Sequence, residues 1–456
     1  MNKKEIQELA QIIRGLSIDG VESANSGHPG LPLGMADVAA VLWTQFLKHN
    51  PKNPSWFDRD RFVLSAGHGS MLVYSLLHLF GYNLPLKELK RFRQWKSKTA
   101  GHPEYHETPG VETTTGPLGQ GISNAVGMAL AEKSLASRFN TSRNKLVDHH
   151  TYVIASDGDL MEGVSHEASS FAGHNRLNKL IVLYDDNNIS IDGETDLSFS
   201  ENVIQRFKAY GWHTQKIDGH DLDAIKSAIE AAHATDQPSL IACRTIIGYG
   251  SPNKAGTESV HGSPLGKVEA RLTKEVLGLP VNKSFYVSPP MKKLKEKAKR
   301  QGVIAEKRWK ERYKKYRLTY PTRAKLFEAC LQKEVSETAM AVPAFDTGKI
   351  ATRSASGKVL DYLANHVPAL MGGSADLTPS NKTFPKGEKA FSKADPQGRY
   401  VHYGVREHAM AAIMNGMALH GGVIPYGGTF FVFTDYMRPS MRLAALMGIQ
   451  SIYVLT

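Results

Sequence analysis

The chain alternates between short, continuous apolar runs and longer stretches in which apolar positions recur every three or four residues. "TYVIAS" (151–156), "KLIVLYDD" (179–186) and "SLIACRTI" (239–246) are unbroken and rich in β-branched residues, the pattern of strands buried on both faces of a parallel sheet. Between such runs lie helical stretches such as 122–139, "ISNAVGMALAEKSLASRF". Glycine-punctuated turns separate these elements from residue 20 to about 250. This rhythm predicts a doubly wound, mostly parallel α/β sheet whose ligands bind beyond the carboxyl ends of the strands. A second α/β segment begins near 345 and closes with "QSIYVLT", which reads as a further strand.

Charge separates the two halves. Residues 291–325 hold fifteen Lys/Arg and three Asp/Glu, while the remainder holds 41 of each sign, so this one segment carries the whole net charge of +12. Ala305, Trp309, Tyr313 and Tyr316 share one helical face within it. A solvated interdomain helix with one packed aromatic stripe is favoured there over an RNA-binding arm, and no nucleic-acid partner is expected. "SPP" (288–290) and "YP" (320–321) interrupt the segment. The resulting domain reading is 1–284 for the first α/β domain, 285–343 for a basic helical linker, and 344–456 for the second α/β domain.

At 456 residues the chain exceeds what one core usually supports, and 41% hydrophobic with 22% charged residues is ordinary globular composition. No apolar run reaches membrane-spanning length, and the opening "MNKKEIQELAQIIRGL" is a charged amphipathic helix, so a cytoplasmic enzyme without a membrane partner is expected. Cys243 and Cys330 are too few and too far apart for a disulfide framework or a thiolate metal site.

The chemistry concentrates after the second and third apolar runs. "IASDGDLMEGVSHE" (154–167) turns from strand to helix at Asp157 and Gly158, and "YDDNNISIDG" places Asn187 and Asn188 just past the next strand. Neighbouring parallel strands end side by side, so Asp157 and Asn187 can converge on one ion. Carboxylate, amide oxygen and the Ile189 carbonyl, completed by phosphate and water, suit Mg²⁺, with Ca²⁺ or Mn²⁺ as alternatives. Asp-Gly followed some thirty residues later by Asn-Asn resembles the thiamine diphosphate motif.

Those stretches, together with "SGHPGLPLGMAD", "RFVLSAGHGSMLVYSLLH", "GHPE", "GVETTTGPLGQGISNAVGMA", "GYGSPNKAGTESVHG", "GGSADLTPSN" and "HYGVREHAM", resemble the landmarks of the transketolase family, in the family's order over the whole chain. Ser156 stands where the family usually has a glycine, and a small residue fits the same turn. The resemblance implies a thiamine diphosphate-binding α/β fold and transfer of a two-carbon ketol unit. The donor would be a ketose phosphate such as xylulose 5-phosphate, and the acceptor an aldose phosphate such as ribose 5-phosphate or erythrose 4-phosphate. Dihydroxyacetone synthase and deoxyxylulose-phosphate synthase are the enzymatic alternatives, and an inactive cofactor-binding fragment the non-catalytic one.

The resemblance also assigns residues. Glu407 would face the aminopyrimidine and activate the cofactor, with Phe430, Phe433 and Tyr436 as its aromatic slot, spaced for one side of a helix. Gly116, Leu118, Gly158, Asn187, Asp376 and Leu377 would contact the cofactor. His28, His68, His102 and His261 each adjoin a glycine, in turns that an α/β sheet gathers at one edge, which suggests a polar cluster for sugar hydroxyls and proton transfer. In the family's terms His28, His102 and His261 meet substrate, while His68 and His261 lie near the cofactor. Arg353 and Ser380 would hold the sugar phosphate, arginine because its planar fork matches phosphate oxygens. Glu162 and Glu167 resemble acids near a dimer axis. A homodimer with shared sites follows, each built from the first domain of one subunit and the second domain of the other. Transketolases continue beyond "SIYVLT", so the second domain is expected to be incomplete at Thr456. A fragment of a longer polypeptide is favoured over a split enzyme completed by a second chain, or a truncated product.

Overall fold

The computed structural model describes residues 1–342, 344–345 and 348–456; the expected linker boundary at 343 lies outside the described residues. Two compact units are present. The first comprises Met1–Ile122, His150–Gly163 and Asn178–Lys307, and the second Ser123–His149, Val164–Leu177 and Arg308–Thr456.

In the first unit β1 (Arg61–Leu64), β2 (Thr151–Ser156), β3 (Leu180–Asp186), β4 (His213–Asp218) and β5 (Ser239–Arg244) form one sheet in the order β1-β2-β3-β5-β4. Every pairing is parallel, and the register aligns Leu64, Ile154, Leu183 and Ile241 in one row across four strands. β3 is buried along its whole length and β2 up to its last residue, which explains their unbroken apolar sequence, whereas edge strand β4 is half exposed. The helix Lys3–Ala24 begins with a capping box between Asn2 and Glu5 and buries Ile6, Leu9, Ile13 and Leu16 in the core.

In the second unit β6 (Leu370–Ser374), β7 (Tyr400–His402), β8 (Ile424–Thr429) and β9 (Ile452–Leu455) form another parallel sheet, ordered β7-β6-β8-β9. The helices Gln120–Phe139 and Glu407–His420 meet glycine to glycine. A Cβ on Gly127 would lie 2.0 Å from the Ile413 carbonyl oxygen, and one on Gly416 would lie 1.8 Å from that of Asn124. Asn124 Nδ2 donates to the Ala412 carbonyl at the same crossing, at 2.9 Å.

The basic segment forms the helix Pro289–Thr319, followed by Pro321–Gln332. Trp309 and Tyr316 of its aromatic face are buried, and they donate to the carbonyls of Leu146 (2.8 Å) and Phe139 (2.7 Å). Both cysteines are buried and free. Among the described residues no helix is long and apolar enough to cross a membrane.

Candidate active site

The carboxyl ends of β1, β2, β3 and β5 open onto one cavity of about 280 Å³. Its lining contains His28, His68, Gly116, Leu118, Asp157, Gly158, Asn187, Ile189 and His261, residues scattered over more than 230 positions of sequence. The sheet brings them together because each follows a strand end or a turn beside one.

The histidines form one cluster. His28 lies 5.3 Å from His68, 6.3 Å from His102 and 5.9 Å from His261, ring centre to ring centre, and His68 stacks on His261 at 5.1 Å. Gly116 admits His102, since a Cβ there would lie 3.0 Å from that ring. Burial holds all four imidazoles below their usual range. His28 is lowered to about 4, with His261, Arg93 and His102 adding to the effect of burial. Neutral rings can both donate and accept. The Nδ1 atoms of His28 and His261 are buried without a hydrogen-bond partner.

The same cavity is lined by acids. Asp157 is the first residue of the short helix Asp157–Met161, whose cap is a reciprocal bond set between Ser156 and Asp159. That helix stops at Glu162, which is extended and exposed, and a second helix, Gly163–His174, starts after it. The Tyr184 hydroxyl donates to Asp157. Asn187 donates through Nδ2 to Asp185 (2.9 Å) and accepts the Ile189 N–H through Oδ1 (2.9 Å). Burial raises the Asp157 carboxyl to about 6 and that of Asp185 to about 7. Buried carboxylates held this high fit a divalent cation, whose charge would offset their burial.

In the second unit the corresponding residues again follow strand ends. Asp376 (φ 61°) and Leu377 follow β6, Glu407 opens the helix after β7, and Phe430 follows β8, three adjacent strands. Glu407 accepts from Thr429 Oγ1 at 3.5 Å. Its helix is anchored by Glu167, which accepts the Ala409 N–H at 2.9 Å, and by Arg406, which donates to Ser170 at 3.2 Å. Ser380 lies on the one-turn helix Thr378–Asn381, and Arg353 is exposed in the first turn of Thr352–His366, which packs on it.

The aromatic trio departs from the helical expectation. Phe430 is extended and Phe433 closes a 3₁₀ turn, so only Tyr436 lies on the helix Thr434–Leu446. The rings still follow one another at 5.8 Å, because three residues per turn places i and i+3 in line.

Three residues escaped the sequence reading. Asp185 lines the cavity and orients Asn187. Arg93 lines a neighbouring cavity of about 580 Å³ together with His102, and donates to Ser26 at 2.9 Å. Asn381, beside Ser380, is fully buried with neither amide atom hydrogen-bonded. The acidic end of "LYDD" was the available signal for the first; nothing in the local pattern marked the other two.

Two parallel sheets with turns at their carboxyl ends, one carrying the acid and histidine cavity, define an α/β protein with a cavity suited to a cofactor. Residues 5–336 match the family model described as transketolase, thiamine diphosphate binding domain, and residues 348–456 match transketolase, pyrimidine binding domain. The chain belongs to the transketolase family, whose members are transferases. It is 56% identical over 457 residues to the transketolase of Halalkalibacterium halodurans and 54% identical to that of Geobacillus stearothermophilus, covering 99% of this chain and 69% and 68% of those relatives. The solved transketolase of Leishmania mexicana superposes with a TM-score of 0.96 at 47% identity, over 99% of this chain and 68% of that one. That of Campylobacter jejuni gives 0.93 at 45%, over 99% and 69%. These relatives favour transketolase over the other thiamine enzymes weighed on the sequence.

Proposed function

We propose that the first unit holds thiamine diphosphate and its metal, that the second activates the cofactor, and that two copies of the chain complete one another's sites. The cavity carries this reading, because it gathers Asp157, Asn187, Ile189, Gly116, Leu118, Gly158, His28, His68 and His261 at the strand ends. Asp157, the Asn187 amide oxygen and the Ile189 carbonyl hold Mg²⁺, or Ca²⁺ or Mn²⁺ in its place. When bound, thiamine diphosphate supplies a carbon nucleophile and an electron sink. Glu407 holds a proton at the aminopyrimidine, and Phe430, Phe433 and Tyr436 form the apolar slot around that ring. Asp376 and Leu377 contact the cofactor from the same sheet edge. His28, His102 and His261, kept neutral by burial, orient the sugar hydroxyls and move protons, and His68 stays beside the cofactor. Arg353 and Ser380 hold the sugar phosphate.

The reaction passes a two-carbon ketol unit from xylulose 5-phosphate to ribose 5-phosphate or erythrose 4-phosphate, as in the pentose phosphate pathway, in the cytoplasm. Exposed Phe431 and Val432, beside the aromatic slot, support a homodimer that covers them. The test is formation of sedoheptulose 7-phosphate from xylulose 5-phosphate and ribose 5-phosphate, with Mg²⁺ and thiamine diphosphate. Glu407→Gln should lower turnover by at least ~100-fold while the variant still binds cofactor. Turnover at the wild-type rate in that variant would remove Glu407 from the mechanism.

A further inference from the structure

Behind the cavity a chain of polar groups ties four distant segments together. Arg14, buried on the helix Lys3–Ala24, donates through Nε to the Leu33 carbonyl (2.8 Å) and through Nη2 to Asp37 (2.5 Å). Asp37 also accepts from His220 Nδ1 at 2.9 Å. The other ring nitrogen, Nε2, therefore has a lone pair to accept the Ile246 N–H, at 3.2 Å. Burial alone would raise the Asp37 carboxyl, but the bond from His220 and the Arg14 charge outweigh it and hold Asp37 below its ordinary range. Tyr249 stacks on the His220 ring at 4.2 Å and lies beneath the Arg14 guanidinium at 4.4 Å.

Ile246 and Tyr249 belong to a strap, residues 245–249, that touches the cavity. Ile247 lines the cavity, and Thr245 donates to Asp185, another lining residue. The Gly248 N–H donates to the Gly30 carbonyl at 3.0 Å. Contact here is tight: a Cβ on Gly30 would lie 2.6 Å from Ile247, and one on Gly248 would lie 2.6 Å from Val260. Gly30 is two residues from His28, and Val260 directly precedes His261. Arg14, Asp37 and His220 themselves do not line the cavity.

We infer that Arg14, Asp37 and His220 form a positioning relay, which fixes the strap 245–249 and thereby the spacing of His28 and His261 around the cavity. The relay acts through backbone, because an imidazole with both nitrogens engaged has one orientation and fixes the peptide it holds. What the cavity binds rests on the function proposed above.

His220→Leu and His220→Gln in the full chain test it, the glutamine amide keeping one donor and one acceptor. The relay predicts that His220→Leu binds thiamine diphosphate with Mg²⁺ about tenfold more weakly, read by intrinsic fluorescence. Without ligand, the same variant should be cut faster by trypsin after Lys254, in the loop that leads to His261, well below its melting temperature. His220→Gln should restore both values. Wild-type affinity and wild-type cleavage in His220→Leu would overturn the relay. So would equal losses in both variants accompanied by a lower melting temperature, since the network would then serve only the fold. If the wild-type protein binds no thiamine diphosphate, the proposed function fails, and the tryptic comparison still decides the relay.

Discussion

His28 shows what burial does to a single residue. Its charged form is disfavoured first by burial and then by electrostatic coupling to His261, the Arg93 guanidinium and His102, which together lower it from 6.5 to about 4. For a base depressed in the folded state, the neutral ring's contribution is fully present above pH 6.5 and is lost as pH falls toward 4. Wild-type stability in urea should therefore fall more steeply over that window than the stability of His28→Asn. Equal slopes would mean that the ring is not desolvated. Asp157 and Asn187 were legible in the sequence because strand ends in a parallel sheet are neighbours, so two short motifs predict one site. Asp185 was not, because a buried strand tolerates an acid only at its final turn, and apolar patterning does not say which way that last side chain points. Arg93 was hidden for another reason. It lies in an irregular loop with φ at 61°, where no periodicity exists to be read.

Among the elements, the crossing of Gln120–Phe139 with Glu407–His420 leaves no room for a side chain at either glycine. Gly127 and Gly416 each face a carbonyl oxygen at a distance no Cβ can occupy. Gly416→Ala should therefore separate the helices and cost about 1–3 kcal/mol or more, seen as a lower melting temperature. It should also weaken turnover, because the displaced helix carries Glu407 in its first turn. A stable, fully active Gly416→Ala variant would contradict the packing. The sequence showed β2, β3, β5 and β9 and the helices at 122–139 and in the basic segment, whose patterns are local, but it did not mark β1, β4, β6, β7 or β8. It misread the aromatic slot as one side of a helix, because a spacing of three is shared by an α-helix face and a 3₁₀ turn. It also did not reveal the break at Glu162.

For the molecule as a whole, two half-sites at two sheet edges make a test by mixing. An Asp157→Ala chain lacks the proposed metal ligand in its first unit, and a Glu407→Gln chain lacks the proposed activating acid in its second. Each should be inactive alone. After subunit exchange, every mixed dimer would contain one intact site, and roughly a quarter of wild-type activity should return at equal amounts. No recovery after demonstrated exchange would place each site within one chain.

The cavity also has a consequence for how the chain reaches its final form. Its walls come from segments between residues 28 and 261, and none of them meet until β1, β2, β3 and β5 have paired in register. Long loops must close before any such contact forms, so this is a late event in folding. A strand shifted by one residue would turn its inward side chains outward and scatter the walls. Affinity for the cofactor is thus a gauge of register: in refolding it should return after helical signal and after burial of tryptophan, as the last property the chain acquires.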